Sequence, residues 1–241
     1  MITSVQNEYV KNIIKIKKLK CLKEDKLYVI EGEHLVIEAM KYNLVTEVII
    51  TPTYNKPLNI KTTIVSNEVM KKITTLASIP NIIAVCKSKE ESKIVGNRLL
   101  LLDNILDPGN LGTIIRTAKA FNIDTIIIGD DCVSLYNDKV LRSTQGLHFS
   151  QNIIRTNLLD IIPSLKENGY KILSTVVNKG TNIRTIKEDK LAIIFGNEGK
   201  GVKNKLLELS TNLVTIPMNN DCESLNVAIA TAICLYELDN E

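Results

Sequence analysis

A series of short apolar runs in the second half of the chain constrains its fold more than any other feature. Each run is nearly uninterrupted, and polar turns or helical patterns separate one from the next. The runs are RLLLLD (98–103), TIIIGD (125–130), YKILSTVV (170–177), LAIIFG (191–196) and LVTIP (213–217). Strands without a polar face are typical of a parallel sheet covered by helices on both sides. We therefore predict an α/β domain whose ligands bind beyond the carboxyl ends of the strands.

The chain closes with a strand (213–218), a polar loop (219–226) and a helix that is apolar on nearly every side. This pattern predicts a helix that is buried all round. Many α/β domains end in such a unit, so the pattern alone does not indicate a site. Glu223, Ser224 and Asn226 nevertheless place three hydrogen-bonding side chains at a helix start, where one N-cap would suffice.

The front part of the chain predicts a smaller α/β domain. Strand and helix patterns alternate between residues 27 and 87, and a charged stretch without apolar periodicity follows at 88–97. We therefore predict domains at 1–90 and 96–241 with a linker between them. The first residues predict an amphipathic helix with a lysine face, which suits a polyphosphate partner, although most such faces are merely solvated. Its lysines and those that follow are Lys11, Lys15, Lys17, Lys18, Lys20, Lys23 and Lys26.

Composition excludes several classes of protein. With 241 residues, 44% of them hydrophobic, the chain has enough apolar material for a packed core. It shows no secretory signal and no apolar stretch long enough for a membrane span. Its five cysteines are odd in number and never spaced as C-x-x-C, which suits a reducing cytoplasm and predicts no disulfide framework and no zinc site. There are only two histidines, His34 and His148, which is too few for a multi-histidine metal centre, so we predict a structural role for each.

The stretch DNILDPGNLGTIIRTA (103–118) is the first candidate site loop. Pro108 and Gly109 predict a turn, and Gly112 predicts the entry to a helix whose apolar face excludes Arg116. Arg116 would then lie about one turn into that helix, where the helix dipole disfavours a cation. An arginine in such a place often serves a ligand, and a surface salt bridge is the alternative.

The stretch FGNEGKG (195–201) is the second candidate loop. A glycine-rich turn after a strand often cradles phosphate, but this one matches neither common phosphate-binding pattern. The carboxylate of Glu198 would repel a pyrophosphate. It favours a neutral or cationic ligand, or an arginine partner.

Taken in order, NILDPGNLGTIIRTA, LAIIFGNEGKG and IPMNNDCESLNVAIA resemble the three signature motifs of the SpoU (TrmH) family of RNA ribose 2'-O-methyltransferases, of the SPOUT class. The front domain resembles the RNA substrate-binding domain that many members carry. The resemblance implies a parallel-sheet domain with a deep trefoil knot, S-adenosylmethionine as methyl donor, a homodimer formed partly through the last helix, and no metal.

Motif by motif, the resemblance also implies roles for individual residues. The implied catalytic residues are Asn110, Arg116, Glu198, Ser224 and Asn226. The residues implied to bind the donor are Thr175, Gly196, Ile216 and Leu225. Two residues depart from the usual motifs. Asn220 stands where many members have a glycine in a turn, and Gln145 lies in a stretch where the family's pattern implies RNA contacts.

The expected activity is methylation of a ribose in structured RNA in the cytoplasm. Ribosomal RNA of the 23S type is the preferred substrate and transfer RNA the second. A non-catalytic RNA-binding member and a Rossmann-type nucleotide enzyme are the alternatives; the first should lack Arg116, Asn110 or Asn226, and the second should have the phosphate-binding fingerprint.

Overall fold

The computed structural model describes residues 1–19, 26–89, 93–219 and 221–239, which form two compact units. The first unit comprises residues 1–90 and 136–149, and the second comprises 91–135 and 150–241. The chain therefore returns to the first unit after it has begun the second. The predicted linker includes residues 90–92, which lie outside the described residues, and the predicted domain boundary stays a prediction.

A four-stranded sheet forms the centre of the first unit, with strand order β1-β4-β2-β3. β1 and β2 run antiparallel to β4, while β3 runs parallel to β2. The three-residue strand β3 is too short for its pattern to be read from sequence. The elements are α1 (Glu8–Leu19), β1 (Leu27–Glu31), α2 (Glu33–Lys41), β2 (Val45–Ile50), β3 (Thr62–Ile64), α3 (Asn67–Ile73), β4 (Ile82–Lys87) and, from the returning segment, α5 (Asp138–Ser143).

Apolar side chains cover both faces of this sheet. On one face, Val10 and Ile13 of α1 pack with Val69 of α3 against the strands. On the other face, Val36 of α2 belongs to a cluster that includes Phe149 of the returning segment. The returning segment is thus part of the core of the first unit.

The predicted lysine face of α1 needs one correction. Lys17 is buried and forms an ion pair with Glu31, and it also donates to the carbonyl of Ile73 at 2.9 Å. Its side chain points into the unit because Glu31 is itself buried and needs a cation. Lys11, Lys15 and Lys18 are exposed as expected, whereas Lys20 and Lys23 lie outside the described residues and Lys26 is not in the helix.

The second unit contains a seven-stranded sheet in the order β7-β6-β5-β10-β8-β11-β9, and every pair in it is parallel. The predicted parallel α/β fold is confirmed. The trefoil knot stays a prediction. The elements are β5 (Arg98–Leu102), α4 (Pro108–Ala120), β6 (Thr125–Ile128), β7 (Asn152–Arg155), α6 (Leu158–Glu167), β8 (Lys171–Thr175), β9 (Thr181–Asn182), β10 (Leu191–Phe195), α7 (Asn204–Leu209), β11 (Asn212–Thr215) and α8 (Val227–Leu238).

Helix α4 begins earlier than the sequence predicts. Asp107 is its N-cap and accepts a hydrogen bond from the backbone N–H of Asn110 at 2.8 Å, and Pro108 occupies the first turn. An acidic cap followed by proline is a favoured helix start, so Pro108-Gly109 is not a free turn and Gly112 lies inside the helix. Arg116 is therefore more than two turns into α4, where the dipole effect has faded, and the prediction that the helix dipole disfavours its charge was wrong.

Helix α8 is less covered than its apolar sequence predicts. Thr231, Cys234 and Leu235 are buried, but the side chains of Ile229 and Tyr236 are 54% and 59% exposed. These two residues are seven positions apart and therefore lie on the same face of the helix. The expectation of burial all round was wrong for the described residues, which leave this face open.

Candidate active site

A cavity of about 520 Å³ lies at the carboxyl ends of strands β8, β10 and β11. Parallel strands end at the same edge, which is why loops far apart in sequence meet there. All four residues predicted to bind the donor lie in its wall, together with Glu198 and Ser224. The wall comprises residues 175–177, the loop 195–202, parts of 214–218 and of 223–225, and one side of α8.

Three side chains from the three candidate loops form one hydrogen-bonded chain. The amide nitrogen Nδ2 of Asn226 donates to Oδ1 of Asn110 at 3.1 Å, and Nδ2 of Asn110 donates to Oε1 of Glu198 at 2.6 Å. Residues that are more than eighty positions apart in sequence are thereby held together. We call this chain of bonds the amide relay.

The direction of the amide relay is set by the start of α8. Asn226 is the N-cap of that helix, and its Oδ1 accepts from the backbone N–H groups of Ala228 and Ile229 at 2.9 and 3.4 Å. Because its oxygen is occupied, Asn226 presents its N–H₂ group to Asn110, which must accept. Asn110 then has its own N–H₂ group left to donate to the Glu198 carboxylate. One capping residue thus orients a carboxylate in the cavity wall.

The loop that carries Glu198 is a tight hairpin. The backbone N–H of Asn197 donates to the carbonyl of Gly201 at 3.1 Å, and the reverse bond measures 2.8 Å. A Cβ atom on Gly196 would come within 2.2 Å of the Gly201 carbonyl carbon, so only glycine fits there. Sequence reasoning missed Asn197, whose Nδ2 donates to the carbonyl of Asn104 at 3.0 Å and ties the hairpin to the loop after β5.

Arg116 lies apart from the other predicted site residues. Its side chain is exposed and does not line the cavity. It lies six positions after Asn110 in α4, which is about 9 Å along the helix axis and about 120° around it. No hydrogen bond or ion pair joins it to any other residue of the described ranges. The salt bridge that the sequence left open as the alternative is not found among them.

The side chains of Thr175 and Cys234 also lie in the cavity wall. The hydroxyl of Thr175 donates to the carbonyl of Ile194 at 2.9 Å, which joins β8 to β10. Cys234 lines the cavity from α8, and burial raises the pKa of its thiol to about 12. Since a neutral thiol is a poor nucleophile, Cys234 is not a candidate for covalent chemistry.

The described residues hold no group of three or more His, Cys, Asp or Glu side chains that could ligate a metal ion. Of the two histidines, His148 is buried with Nδ1 2.7 Å from the Thr144 hydroxyl, and His34 Nε2 lies 3.2 Å from the carbonyl of Gln145.

Within the part of the chain that the structure describes, no helix is long and apolar enough to cross a membrane. Asn220, a departure from the usual motif, lies outside the described residues.

Comparison with known proteins identifies the family. Residues 97–236 match the model of the SpoU rRNA Methylase family. The chain is also 37% identical, over 98% of both proteins, to "23S rRNA (guanosine(2553)-2'-O)-methyltransferase RlmP" of Bacillus subtilis (strain 168). The chain belongs to the SpoU methylase family. A separate match places an MRM3-like substrate binding domain at residues 7–84, within the first unit.

Solved structures of similar proteins support the same assignment for this SpoU methylase. A crystal structure of an rRNA methyltransferase from Sinorhizobium meliloti has a TM-score of 0.87 and 28% identity, and covers 98% of this chain and 96% of that one. A structure described as the AdoMet-bound rRNA methyltransferase of the same organism has a TM-score of 0.85 and 27% identity, with the same coverage. AdoMet is S-adenosylmethionine, and the cavity described above is the place in this methylase to test for it.

The cavity of this SpoU methylase fits a methyl donor of that kind. Its volume lies within the range of about 300 to 1,000 Å³ that is usual for small-molecule and cofactor sites. The charged residues of its wall are Glu198, Glu223 and Lys200. Because the two carboxylates outnumber the one ammonium, the wall favours a ligand with positive charge, such as a sulfonium.

Proposed function

We propose that this protein transfers a methyl group from S-adenosylmethionine to the 2'-hydroxyl of a ribose in ribosomal RNA of the 23S type. The observation that carries the proposal is the amide relay, which joins the three motif loops at the wall of the donor cavity. The full-length similarity to a 23S rRNA methyltransferase supports the choice of RNA. Methylation of transfer RNA is the second candidate, because a match to the family by itself does not separate the two substrates.

The residues of the site position the reactants. S-adenosylmethionine, when bound, supplies a methyl group that its positively charged sulfur has already activated. Thr175, Gly196, Ile216 and Leu225 would hold the adenosyl part by their positions in the cavity wall. Holding two reactants in the correct geometry can itself supply several kcal/mol, about 7 to 11 in favourable cases. The amide relay fixes the Glu198 carboxylate for that purpose.

Arg116 is proposed to act on the RNA rather than as a base. A guanidinium stays protonated at any relevant pH and makes a poor proton acceptor. Its planar fork suits a phosphate group, and its charge would stabilise the oxyanion that develops as the ribose hydroxyl attacks. The proton then passes to a neighbouring side chain or to the RNA phosphate. That Arg116 is exposed and unpaired among the described residues supports a role toward a ligand from outside.

We also propose that the protein is a homodimer. The open face of α8 presents Ile229 and Tyr236 to solvent, and a second copy of the same face would cover them. Exposed apolar side chains in a continuous stripe often mark an interface. α4 packs against α8, so the dimer face would be continuous with the helix that carries Asn110 and Arg116.

The first unit is proposed to bind the RNA, and the protein is proposed to act in the cytoplasm. The match to a substrate-binding domain and the exposed Lys11, Lys15 and Lys18 support the first point. The free thiols of Cys86, Cys132, Cys222 and Cys234, together with the bacterial relative, support the second.

Ribose methylation of defined RNAs tests the proposal. The full chain would be incubated with S-adenosylmethionine carrying a deuterated methyl group and with unmodified 23S, 16S or transfer RNA, and 2'-O-methylnucleosides would be measured by mass spectrometry. We expect label on one ribose of the 23S RNA. Label on transfer RNA alone would favour the second candidate, and RNA binding without any label would indicate a non-catalytic member.

A further inference from the structure

We infer that Lys203 is a positioning residue for the Glu198 hairpin, an inference that rests on the proposed function of the site. Lys203 lies two residues after Gly201, the last residue of the hairpin, and is the N-cap residue of helix α7. It contacts two carboxylates that belong to two other loops at the same edge of the sheet. None of the three motif patterns points to it.

The first partner of Lys203 is Asp103, a carboxylate at the end of β5 that is only 3% exposed. Oδ2 of Asp103 accepts the backbone N–H of Lys203 at 2.9 Å, and Oδ1 lies 3.2 Å from its Nζ. Lys203 therefore holds the buried carboxylate by main chain and side chain at once. A buried carboxylate is stable only when it is paired and hydrogen-bonded, so the end of β5 and the end of the hairpin are fixed to each other.

The second partner is Asp131, in the loop after β6, which forms an ion pair with the Lys203 ammonium. The hydrogen bond that Lys203 donates to Asp131 raises the pKa of Lys203, and the contacts of Lys203 with Asp103 add to the shift. Burial opposes it but is outweighed. The ammonium is consequently charged at any pH at which the enzyme would work. One side chain thus connects the loops after β5, β6 and β10.

These contacts complete the anchoring of the hairpin. Its beginning is tied to the loop after β5 by the bond from Asn197 to Asn104, and its end is tied to β5 by Lys203 and Asp103. Glu198 lies between the two anchors. Its carboxylate can meet Asn110 at 2.6 Å only while both ends of the hairpin are held. Lys203 does not line the cavity, so it acts on the site through Glu198.

A double-mutant cycle tests this route of action. Lys203→Met is expected to lower the single-turnover methylation rate about 10-fold at saturating donor, which corresponds to about 1.4 kcal/mol of activation free energy. In a Glu198→Gln background, Lys203→Met is expected to lower the rate less than about 2-fold, because the Glu198 carboxylate through which Lys203 acts is already removed. Lys203→Arg should recover most of the rate. Lys205→Met is the matched control, since Lys205 is exposed, two residues away and without an ion pair to any described residue.

Two measurements keep the test independent of turnover. Calorimetric titration with S-adenosylmethionine should show about 5-fold weaker binding for Lys203→Met, because the hairpin lines the donor cavity. Hydrogen exchange at the Gly201 amide, which is bonded to the Asn197 carbonyl, should be faster in Lys203→Met than in the parent, while the core strands exchange alike. If the parent protein transfers no methyl group, the proposed function fails, and these two measurements still decide on Lys203.

Lys203→Met leaves Asp103 buried without its cation, so its folding is checked by circular dichroism. If it does not fold, Asp131→Asn replaces it in the cycle, because that change removes one partner and leaves Asp103 paired. The expected loss of rate is then about 3-fold, again absent in the Glu198→Gln background. A parental rate and parental donor affinity in the folded variant, or the same fold-loss with and without Glu198, would overturn the inference.

Discussion

The side-chain amide of Asn226 donates a 3.1 Å hydrogen bond to Asn110, and the same side chain caps helix α8 through its oxygen. A structural cap and a site contact are therefore made by the two ends of one amide group. The two roles can be separated by substitution, because an aspartate keeps the oxygen and lacks the N–H₂ group.

We expect Asn226→Asp to keep the cap and break the relay. Its unfolding free energy should stay within about 0.5 kcal/mol of the parent, whereas Asn226→Ala should lose about 1 kcal/mol with the cap. Both changes should slow methyl transfer about 10-fold, since each leaves Asn110 without its donor. Urea unfolding and single-turnover rates measure the two effects. An aspartate variant with parental turnover would show that the relay does not serve the reaction.

A second prediction concerns Lys17, which the sequence placed on the predicted lysine face of α1. Lys17→Met should destabilise the protein by about 3 kcal/mol or more, because it leaves the buried Glu31 carboxylate unpaired. Lys18→Met, the exposed neighbour, should change stability by no more than about 0.5 kcal/mol. Thermal and urea unfolding of both variants check this. If the two variants were equally stable, Lys17 would not be buried against Glu31 and would instead lie on the exposed face of α1.

The same ion pair predicts a dependence of stability on pH. Burial opposes ionisation of Glu31, but hydrogen bonds from Lys17 and Thr74 outweigh it and lower the pKa below its ordinary value of 4.5. A carboxylate with a lowered pKa stabilises the fold above its ordinary pKa, and that contribution disappears as the pH falls through the lowered value. Unfolding free energy should therefore fall more steeply below pH 4.5 in the parent than in Glu31→Gln. Parallel curves would contradict the assignment.

The lysines of α1 that do remain exposed predict a salt-dependent RNA contact. Changing Lys11, Lys15 and Lys18 together to Gln should weaken RNA binding and flatten its salt dependence, by roughly 0.7 to 0.9 in slope for each phosphate group that is no longer bound. A control triple change at Lys171, Lys187 and Lys205, all exposed in the second unit, removes the same charge. Filter binding at several salt concentrations gives the slopes. If the salt dependence of RNA binding were unchanged in the α1 variant, these lysines would contact solvent and not RNA.

The open face of α8 predicts a dimer. Tyr236→Glu combined with Ile229→Glu should place two charges in the proposed interface and yield a monomer in analytical ultracentrifugation, while the parent sediments as a dimer. Both side chains are more than half exposed in the single chain, so a folded monomer should keep its secondary structure. A parent that sediments as a monomer at micromolar concentration would contradict the proposed dimer.

The sequence predicted the fold well where its patterns were long and local. The uninterrupted apolar runs from Leu99 to Leu102 and from Leu191 to Phe195 became central parallel strands. Short elements such as β9, with two residues, carry no periodicity and could not be predicted. The returning segment 136–149 was also missed, because Leu141 and Phe149 look like core residues whichever unit they join.

For the candidate site, the motifs predicted which loops meet but not how they are held. Because Asp107 caps the helix, α4 starts at Pro108 and not at Gly112 as predicted. Arg116 therefore lies deeper in the helix than the sequence indicated. The contacts of Lys17 with Glu31 and of Lys203 with Asp103 join residues far apart in sequence, and no local pattern records such pairs. These are tertiary effects that depend on which buried carboxylate needs a cation.

Arg116 is proposed to act on the RNA phosphate and on the oxyanion that develops during methyl transfer, and substitutions at this position test that role. Arg116→Ala should leave the fold and the donor affinity nearly intact while the rate falls about 100-fold or more, as when one oxyanion donor is removed. Arg116→Lys should recover little, because lysine lacks the planar fork that grips phosphate in two places. Calorimetric titration with S-adenosylmethionine verifies that both variants still bind the donor.

Single-turnover methylation of 23S RNA at saturating donor, compared between the parent and Arg116→Ala, is the most direct measurement. We expect ribose label in the parent and a rate about 100-fold lower in the variant. A parental rate in the alanine variant would contradict the role of Arg116, and a parent without label on any ribose would contradict the proposed reaction itself.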